Sequence, residues 1–327
     1  MLKFCSSPYD TVAIHADASV SSCLCAGWHR YGNQMGNLNQ NSLTEIFANL
    51  HFTNFRSSII DQSFKYCIKE ECAKMWNLDQ VADISTVSHH KKLPTKMNVQ
   101  IEKNCNLKCA SCRNEVIWSK EINPQVEKIL NTLVQDYQDF DERVWFQCDG
   151  FGDIFASRAY QNFLRRDDLP KCFDFNLTTN GNLITKNLDL IEKLKPQIFS
   201  LCVSFDSANE QTYKEIRGGK FDLILDGVRE CVKMGVTRVN ASFVTQKKNY
   251  LEILDYYNLC KSLGISHIGI SKIDRWYHMS NAWWQENQID DNPTVDYKFL
   301  VSALKTIKED PNVGMCGGLE NLIATKS

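Results

Sequence analysis

Cys105, Cys109 and Cys112 stand together in the stretch KNCNLKCASCRNE, Lys103 to Glu115. Three thiolates from one short loop can hold three irons of a cubane iron-sulfur cluster, whereas a closed cluster takes four protein ligands. The fourth iron is then open to a ligand from outside the chain. A structural zinc site is the competing reading, but it takes four protein ligands, commonly as Cys-x2-Cys pairs. No histidine sits beside this loop to complete such a set. The spacing, and the position directly after a strand-like segment, favour the open cluster over zinc.

The chain has fourteen cysteines among 327 residues. Cys5, Cys23, Cys25, Cys67 and Cys72 lie in the first quarter, while Cys148, Cys172, Cys202, Cys231, Cys260 and Cys316 are widely spaced. Grouped cysteines suggest metal, and scattered ones read as small buried apolar residues. A net charge of -2 and a pI near 6.4 argue against nucleic-acid or anionic-membrane partners. With no leader-like N-terminus and no apolar run of the ~20 residues a membrane span requires, the expectation is a soluble, cytoplasmic protein whose thiols stay reduced.

Those residues need a scaffold, and the pattern after Pro94 supplies one. TKMNVQIE alternates as a strand and runs straight into the cysteine loop. NPQVEKILNTLVQDY follows as a helix, with Asn123 as N-cap, Pro124 at the first position and Val126, Ile129, Leu130, Leu133, Val134 and Tyr137 on one face. Strand-like RVWFQCD, CFDFNLTT, IFSLCVSF, RVNASFVT and HIGIS then alternate with helix-like LDLIEKLK, FDLILDGVRECVKMG and YLEILDYYNLCKSLG. Gly235 and Gly264 close the last two helices. Six strand-helix units in succession predict an α/β fold, a partial (β/α)6 TIM-like barrel with a parallel sheet and outer helices. Chemistry on such a fold sits at the C-terminal ends of the strands. There the sequence places the cysteine loop, Gly150 to Asp153, Thr178 to Gly181, and Ser204 to Asp206.

The first 93 residues read as a small α+β segment. TVAIHADASVSSC predicts two short strands turning around Asp17, and SLTEIFANLHFTNFRSSI predicts a helix followed by a second. The expected domains are 1-93 with its linker, 94-285 as the barrel, and 286-327 as a tail packing on it. His89 and His90 fall in the linker and read as solvated.

At this point the sequence resembles a family. Cys105-x3-Cys109-x2-Cys112 after a first barrel strand is similar to the signature of the radical S-adenosylmethionine enzymes, and the likeness runs from Pro94 to about Lys272. It implies that the amino and carboxylate groups of S-adenosylmethionine chelate the open iron of a [4Fe-4S] cluster. It also implies reductive cleavage to a 5'-deoxyadenosyl radical that takes hydrogen from substrate. Gly150, Gly152 and Asp153 resemble the element that receives the cofactor's amino group. Ser204 and Arg217 resemble the pair that holds its carboxylate, a task suited to a guanidinium fork. Thr178 and Asn180 match the third-strand motif lining the cofactor groove, and Val244, with Thr245 and Asn249, the segment near adenine. Ser111 stands where the family usually has an aromatic residue, and Asp153 where it usually has Glu.

The N-terminal text resembles the auxiliary-cluster module called SPASM, or its shorter twitch form. It has a cysteine, a hairpin, a second cysteine, Gly36-Asn37-Leu38, a Leu-x-x-Ile-Phe helix and a closing cysteine pair. The resemblance implies that Cys5, Cys23, Cys67 and Cys72 hold a second [4Fe-4S] cluster, with Cys25 as a substitute for Cys23 or a neighbouring thiol, and with zinc as the alternative occupant. A small segment without a core of its own can be fastened in this way. The module usually follows the barrel; here it precedes it.

The expected activity is hydrogen abstraction from a sugar or aminocyclitol-like small molecule by a radical SAM oxidoreductase or isomerase. The auxiliary cluster would assist oxidation, and a flavodoxin- or ferredoxin-type protein would supply the electron. The alternative is an epimerase or peptide maturase with a cysteine hydrogen donor, for which Cys148, Cys202 and Cys316 are the candidates. A non-catalytic iron-sulfur carrier or zinc protein is the reading of another class. The aromatic segment RWYHMSNAWW, Arg275 to Trp284, is placed either over the substrate opening or in a packed loop.

Overall fold

The computed structural model describes residues 2-23, 35-67, 72, 79-81, 91-276 and 279-326. Cys25, His89 and His90 lie outside the described residues, as do Tyr277 and His278 of the aromatic segment. Eleven strands occur among the described residues: β1 (Leu2–Phe4), β2 (Thr11–His15), β3 (Val20–Ser21), β4 (Asp79–Val81), β5 (Lys96–Gln100), β6 (Val144–Cys148), β7 (Phe173–Thr179), β8 (Ile198–Ser204), β9 (Val239–Thr245), β10 (His267–Lys272) and β11 (Val313–Met315). The fold is mixed α/β around a nine-strand, mainly parallel sheet, as expected of a partial TIM-like barrel. Strands β5 to β10 are the six predicted from the sequence.

The chain forms two compact units, the first made of Met1–Glu102, Lys120–Gly150 and Arg158–Phe175. In it β2 pairs in parallel with β5, from Thr11↔Lys96 to His15↔Gln100, and β5 pairs in parallel with β6. The β2-β3 hairpin turns at Asp17, whose carboxylate accepts from the backbone N–H and hydroxyl of Ser19. Helix Pro124–Tyr137 starts on the Asn123 side chain and buries the six predicted apolar residues. Phe146, Phe163, Phe173 and Phe175 pack ring against ring beneath it.

Both predicted N-terminal helices are present. Leu43–Ala48 carries a capping box in which Ser42 and Glu45 satisfy each other's backbone N–H, and Leu50–Ile60 starts on Asn49. Gly36 explains its own place in the sequence. Its φ is +146°, and a Cβ there would stand 2.7 Å from Cγ1 of Ile46 in the first of these helices. Arg56 is buried between helices and rings, donating to the carbonyls of Pro8 and Phe47 and lying over Phe47 at 4.5 Å.

The second unit comprises Lys103–Ser119, Phe151–Ser157 and Asn176–Ser327. Strands β8, β9, β10 and β11 pair in parallel in that order, so their C-terminal ends share one side of this unit. Gly235 and Gly264 close helices Phe221–Lys233 and Ile253–Ser262 at φ +73° and +74°, as the sequence predicts. The segment read as a tail holds two helices and a strand: Tyr297–Lys308 buries Leu300, Val301, Leu304 and Ile307, β11 extends the sheet beyond β10, and helix Leu319–Lys326 follows.

Candidate active site

The cysteine loop folds back on itself and onto a neighbouring helix. The N–H of Cys105 donates to the Ile117 carbonyl at 2.6 Å, Ser119 N–H donates to Asn104 Oδ1 at 2.8 Å, and Ala110 N–H donates to the Ile216 carbonyl at 2.9 Å. Cys112 and Arg113 N–H both reach the Cys109 carbonyl, forming one tight turn. Cys105 and Cys109 are buried around Leu107, whereas Cys112 is exposed and Ser111 half-buried.

Each buried thiol is met by a nitrogen donor. Asn180 Nδ2 lies 3.7 Å from Cys105 Sγ and also donates to Asn106 Oδ1 at 2.9 Å. Arg217 Nη1 lies 3.9 Å from Cys109 Sγ. Burial pushes the Cys105 thiol up to about 11, and burial likewise raises Cys109, with Arg217 pulling the other way. The nitrogen donors aimed at these two sulfurs suit thiolate ligands of iron, because they stabilise negative charge on sulfur.

Asp153 ties three loops together. Its N–H donates to the Asn104 carbonyl at 2.7 Å; its Oδ2 accepts from Thr179 Oγ1 at 2.8 Å and Asn180 N–H at 2.7 Å; its Oδ1 accepts from Phe155 N–H. Asp153 is 2% exposed, and burial raises its pKa despite those three donors. A carboxylate so occupied holds the second- and third-strand loops against the cysteine loop.

Arg217 is likewise engaged. Its Nε and Nη2 both reach Asp206 Oδ2 at 2.7 Å, while Asp206 Oδ1 accepts from Val244 N–H at 2.8 Å. Burial works against the Arg217 charge, but Asp206, with Cys109 and Tyr213, more than offsets it, so the pKa is raised. Asn249 Nδ2 bonds the Asp206 and Val244 carbonyls. Asp206 itself sits at φ +50°, a left-handed position for a residue with a side chain. The hydroxyl of Ser204 accepts from Ser242 at 2.8 Å, and Thr245 Oγ1 is buried without a hydrogen-bond partner among the described residues.

The second unit therefore contains all three loop cysteines together with Gly152, Asp153, Thr178, Asn180, Ser204, Arg217 and Val244. Of these it links Cys105 to Asn180, and Cys109 through Arg217 and Asp206 to Val244. Asp206, Thr179 and Asn106 were not singled out from the sequence. Asp206 had a local signal, since it lies inside the SFDS stretch that drew attention to Ser204. Two of the proposed hydrogen donors also lie in this unit: Cys202 on β8, pushed up to about 11 by burial, and Cys316, exposed just past β11 with its N–H on the Ile270 carbonyl.

Gly150, Cys148 and the N-terminal cysteines belong to the first unit. Gly150 has φ +109°, and a Cβ would crowd Gln100 at 3.1 Å. Cys148 is fully buried, which holds its thiol well above the usual range. Cys5, Cys23 and Cys67 are half-buried and Cys72 is buried. A single-ion site gathers its sulfurs at ~2.3 Å around one point, and no group of three or more His, Cys, Asp or Glu side chains among the described residues is arranged so. A cubane spreads its thiolates over separate irons and asks for wider spacing.

The family model described as the radical SAM superfamily matches residues 99-260, and the model described as the SPASM iron-sulfur cluster-binding domain matches residues 5-74. The chain belongs to the radical SAM superfamily. Its SPASM match lies before the radical SAM match, the order read from the sequence. The cofactors of the two domains are [4Fe-4S] clusters, with S-adenosylmethionine at the radical SAM site.

Curated relatives include a probable GTP 3',8-cyclase of Methanococcus aeolicus, 25% identical over 71% of this chain and 79% of that protein. A second, from Methanococcus vannielii, is 26% identical over 51% of this chain and 54% of that protein. Among solved structures, Streptococcus suis SuiB bound to precursor peptide SuiA matches with TM-score 0.51 at 14% identity, over 81% of this chain and 62% of that one. The chain thus spans less than two thirds of SuiB and of the M. vannielii relative. The radical SAM fold is shared; no helix among the described residues is long and apolar enough to cross a membrane.

Proposed function

We propose that Cys105, Cys109 and Cys112 are the three protein ligands of an open [4Fe-4S] cluster in a radical SAM enzyme acting on a sugar-containing small molecule. The observation that carries this reading is the arrangement around the loop: two buried thiols, each with a nitrogen donor on its sulfur, on a loop clasped by Asp153 and by helix Glu210–Ile216. Cys105, Cys109 and Cys112 would hold the cluster, and with S-adenosylmethionine bound it would supply radical abstraction of a carbon-bound hydrogen. Asp153 orders the rim loops, and Asp206 fixes Arg217 beside Cys109, where its guanidinium offsets negative charge. Ser204, Thr178, Val244 and the backbone at Gly152 line the cofactor groove, and the buried hydroxyl of Thr245 is available to a polar group there.

Cys5, Cys23, Cys67 and Cys72 in the segment 1-93 supply the thiolates for the auxiliary cluster, and segment 94-285 is the catalytic barrel. The relatives named for GTP, a ribonucleotide, support a sugar-bearing substrate. A peptide substrate is the second reading, supported by the fold shared with SuiB and its bound precursor peptide. Reduction would come from a flavodoxin- or ferredoxin-type donor. In either case Cys316, exposed at the strand ends, is the strongest candidate for returning hydrogen to substrate.

The test is anaerobic turnover of the reconstituted, reduced protein with panels of nucleotides, sugars and peptides. Release of 5'-deoxyadenosine, lost in Cys105→Ala, is expected. Intact S-adenosylmethionine under all conditions would leave a non-catalytic carrier. Deuterium from heavy water in the product, abolished by Cys316→Ala, marks epimerisation; oxidised product without deuterium marks dehydrogenation.

A further inference from the structure

The three loop cysteines are not equivalent. Cys105 and Cys109 are each 8% exposed and each has a nitrogen donor at hydrogen-bond distance for sulfur, while Cys112 is exposed. The Asn180 amide cannot turn its oxygen towards Cys105 without loss. Its Oδ1 accepts from Asn182 N–H at 3.0 Å, which leaves the NH2 group facing Cys105 Sγ and Asn106 Oδ1. Its own N–H is pinned to Asp153. Arg217 is held just as firmly, by two contacts to Asp206.

A cubane that gains one electron gains one negative charge, delocalised onto its thiolate sulfurs. Hydrogen bonds to those sulfurs stabilise the reduced state more than the oxidised state, and a positive charge does so more strongly than a neutral amide. We infer that Asn180 and Arg217 set the reduction potential of the radical SAM cluster by donating to the sulfurs of Cys105 and Cys109, holding it within reach of its electron donor. This rests on the ligand assignment proposed above. Asn180 is accordingly a positioning and tuning residue for the cluster in addition to any contact with S-adenosylmethionine.

The experiment is a potentiometric titration of the reconstituted full chain with dithionite, without S-adenosylmethionine, followed by electron paramagnetic resonance. The relevant signal is the one that Cys105→Ala/Cys109→Ala/Cys112→Ala lacks and that added S-adenosylmethionine perturbs. Asn180→Leu is expected to move its midpoint to more negative potential, and Arg217→Gln to move it further. Asn106→Ala removes the other partner of the same amide and is expected to leave the midpoint in place. An unchanged midpoint in Asn180→Leu, or an equal shift in Asn106→Ala, overturns the inference. Should Asn180→Leu fail to assemble its cluster, Asn180→Asp keeps the shape without the donor; its midpoint must also fall, or the inference fails. Absence of the signal from the wild type itself would instead overturn the ligand assignment.

Discussion

Asp149 precedes the Gly150 turn with its carboxyl largely buried, one oxygen lacking a hydrogen-bond partner among the described residues, and Gln100 as its side-chain hydrogen bond. Burial pushes its pKa up to about 6, against 3.8 for an exposed aspartate. The sign follows from proton binding. Below about pH 4 the carboxyl is neutral in both folded and unfolded chains, and it costs nothing extra. As pH rises through 6 the unfolded chain has already released its proton while the folded chain must ionise a buried group, so stability falls. Asp149→Asn is therefore expected to stabilise the protein at pH 8, by about 3 kcal/mol at most, with the gain gone at pH 4. Urea unfolding midpoints at the two pH values check this.

At the scale of elements, the Gly36 turn and the helix starting at Leu43 depend on each other. Gly36→Ala forces a side chain into a left-handed backbone and against Ile46, which is expected to lower unfolding free energy by about 2-3 kcal/mol, measured by denaturant unfolding. The same scale shows what sequence patterns carry. Strands β5 to β10 were legible because alternation and helix caps recur on a regular beat, and the cysteine loop because its spacing is short and local. Strand β11 was not: three half-buried residues have no alternation to detect. Nor was the pairing of β2 with β5, since a parallel partner is chosen by tertiary packing and not by local pattern. Asp206 escaped because its importance lies in a left-handed φ and in an arginine eleven residues away.

At the scale of the whole molecule, two family matches on one chain predict two metal loads that can be separated. Wild-type protein reconstituted anaerobically is expected to hold about eight irons per chain, and Cys105→Ala/Cys109→Ala/Cys112→Ala about four. Iron and acid-labile sulfide analysis decides this. Loss of all iron in the triple variant would place no cluster on Cys5, Cys23, Cys67 and Cys72, and zinc in the remaining site would overturn its iron-sulfur assignment.

The parallel contact between β2 and β5 has a bearing on how the protein comes to be made. Everything from Ala16 to Thr95 must be looped out before Val12 can settle beside Met97, and the entropy lost in closing a loop rises with its length. Cys23, Cys67 and Cys72 lie inside that loop and Cys5 just before it. A cluster bridging them would draw the loop shut early, so iron supply during synthesis would govern the yield of folded chain as well as its activity.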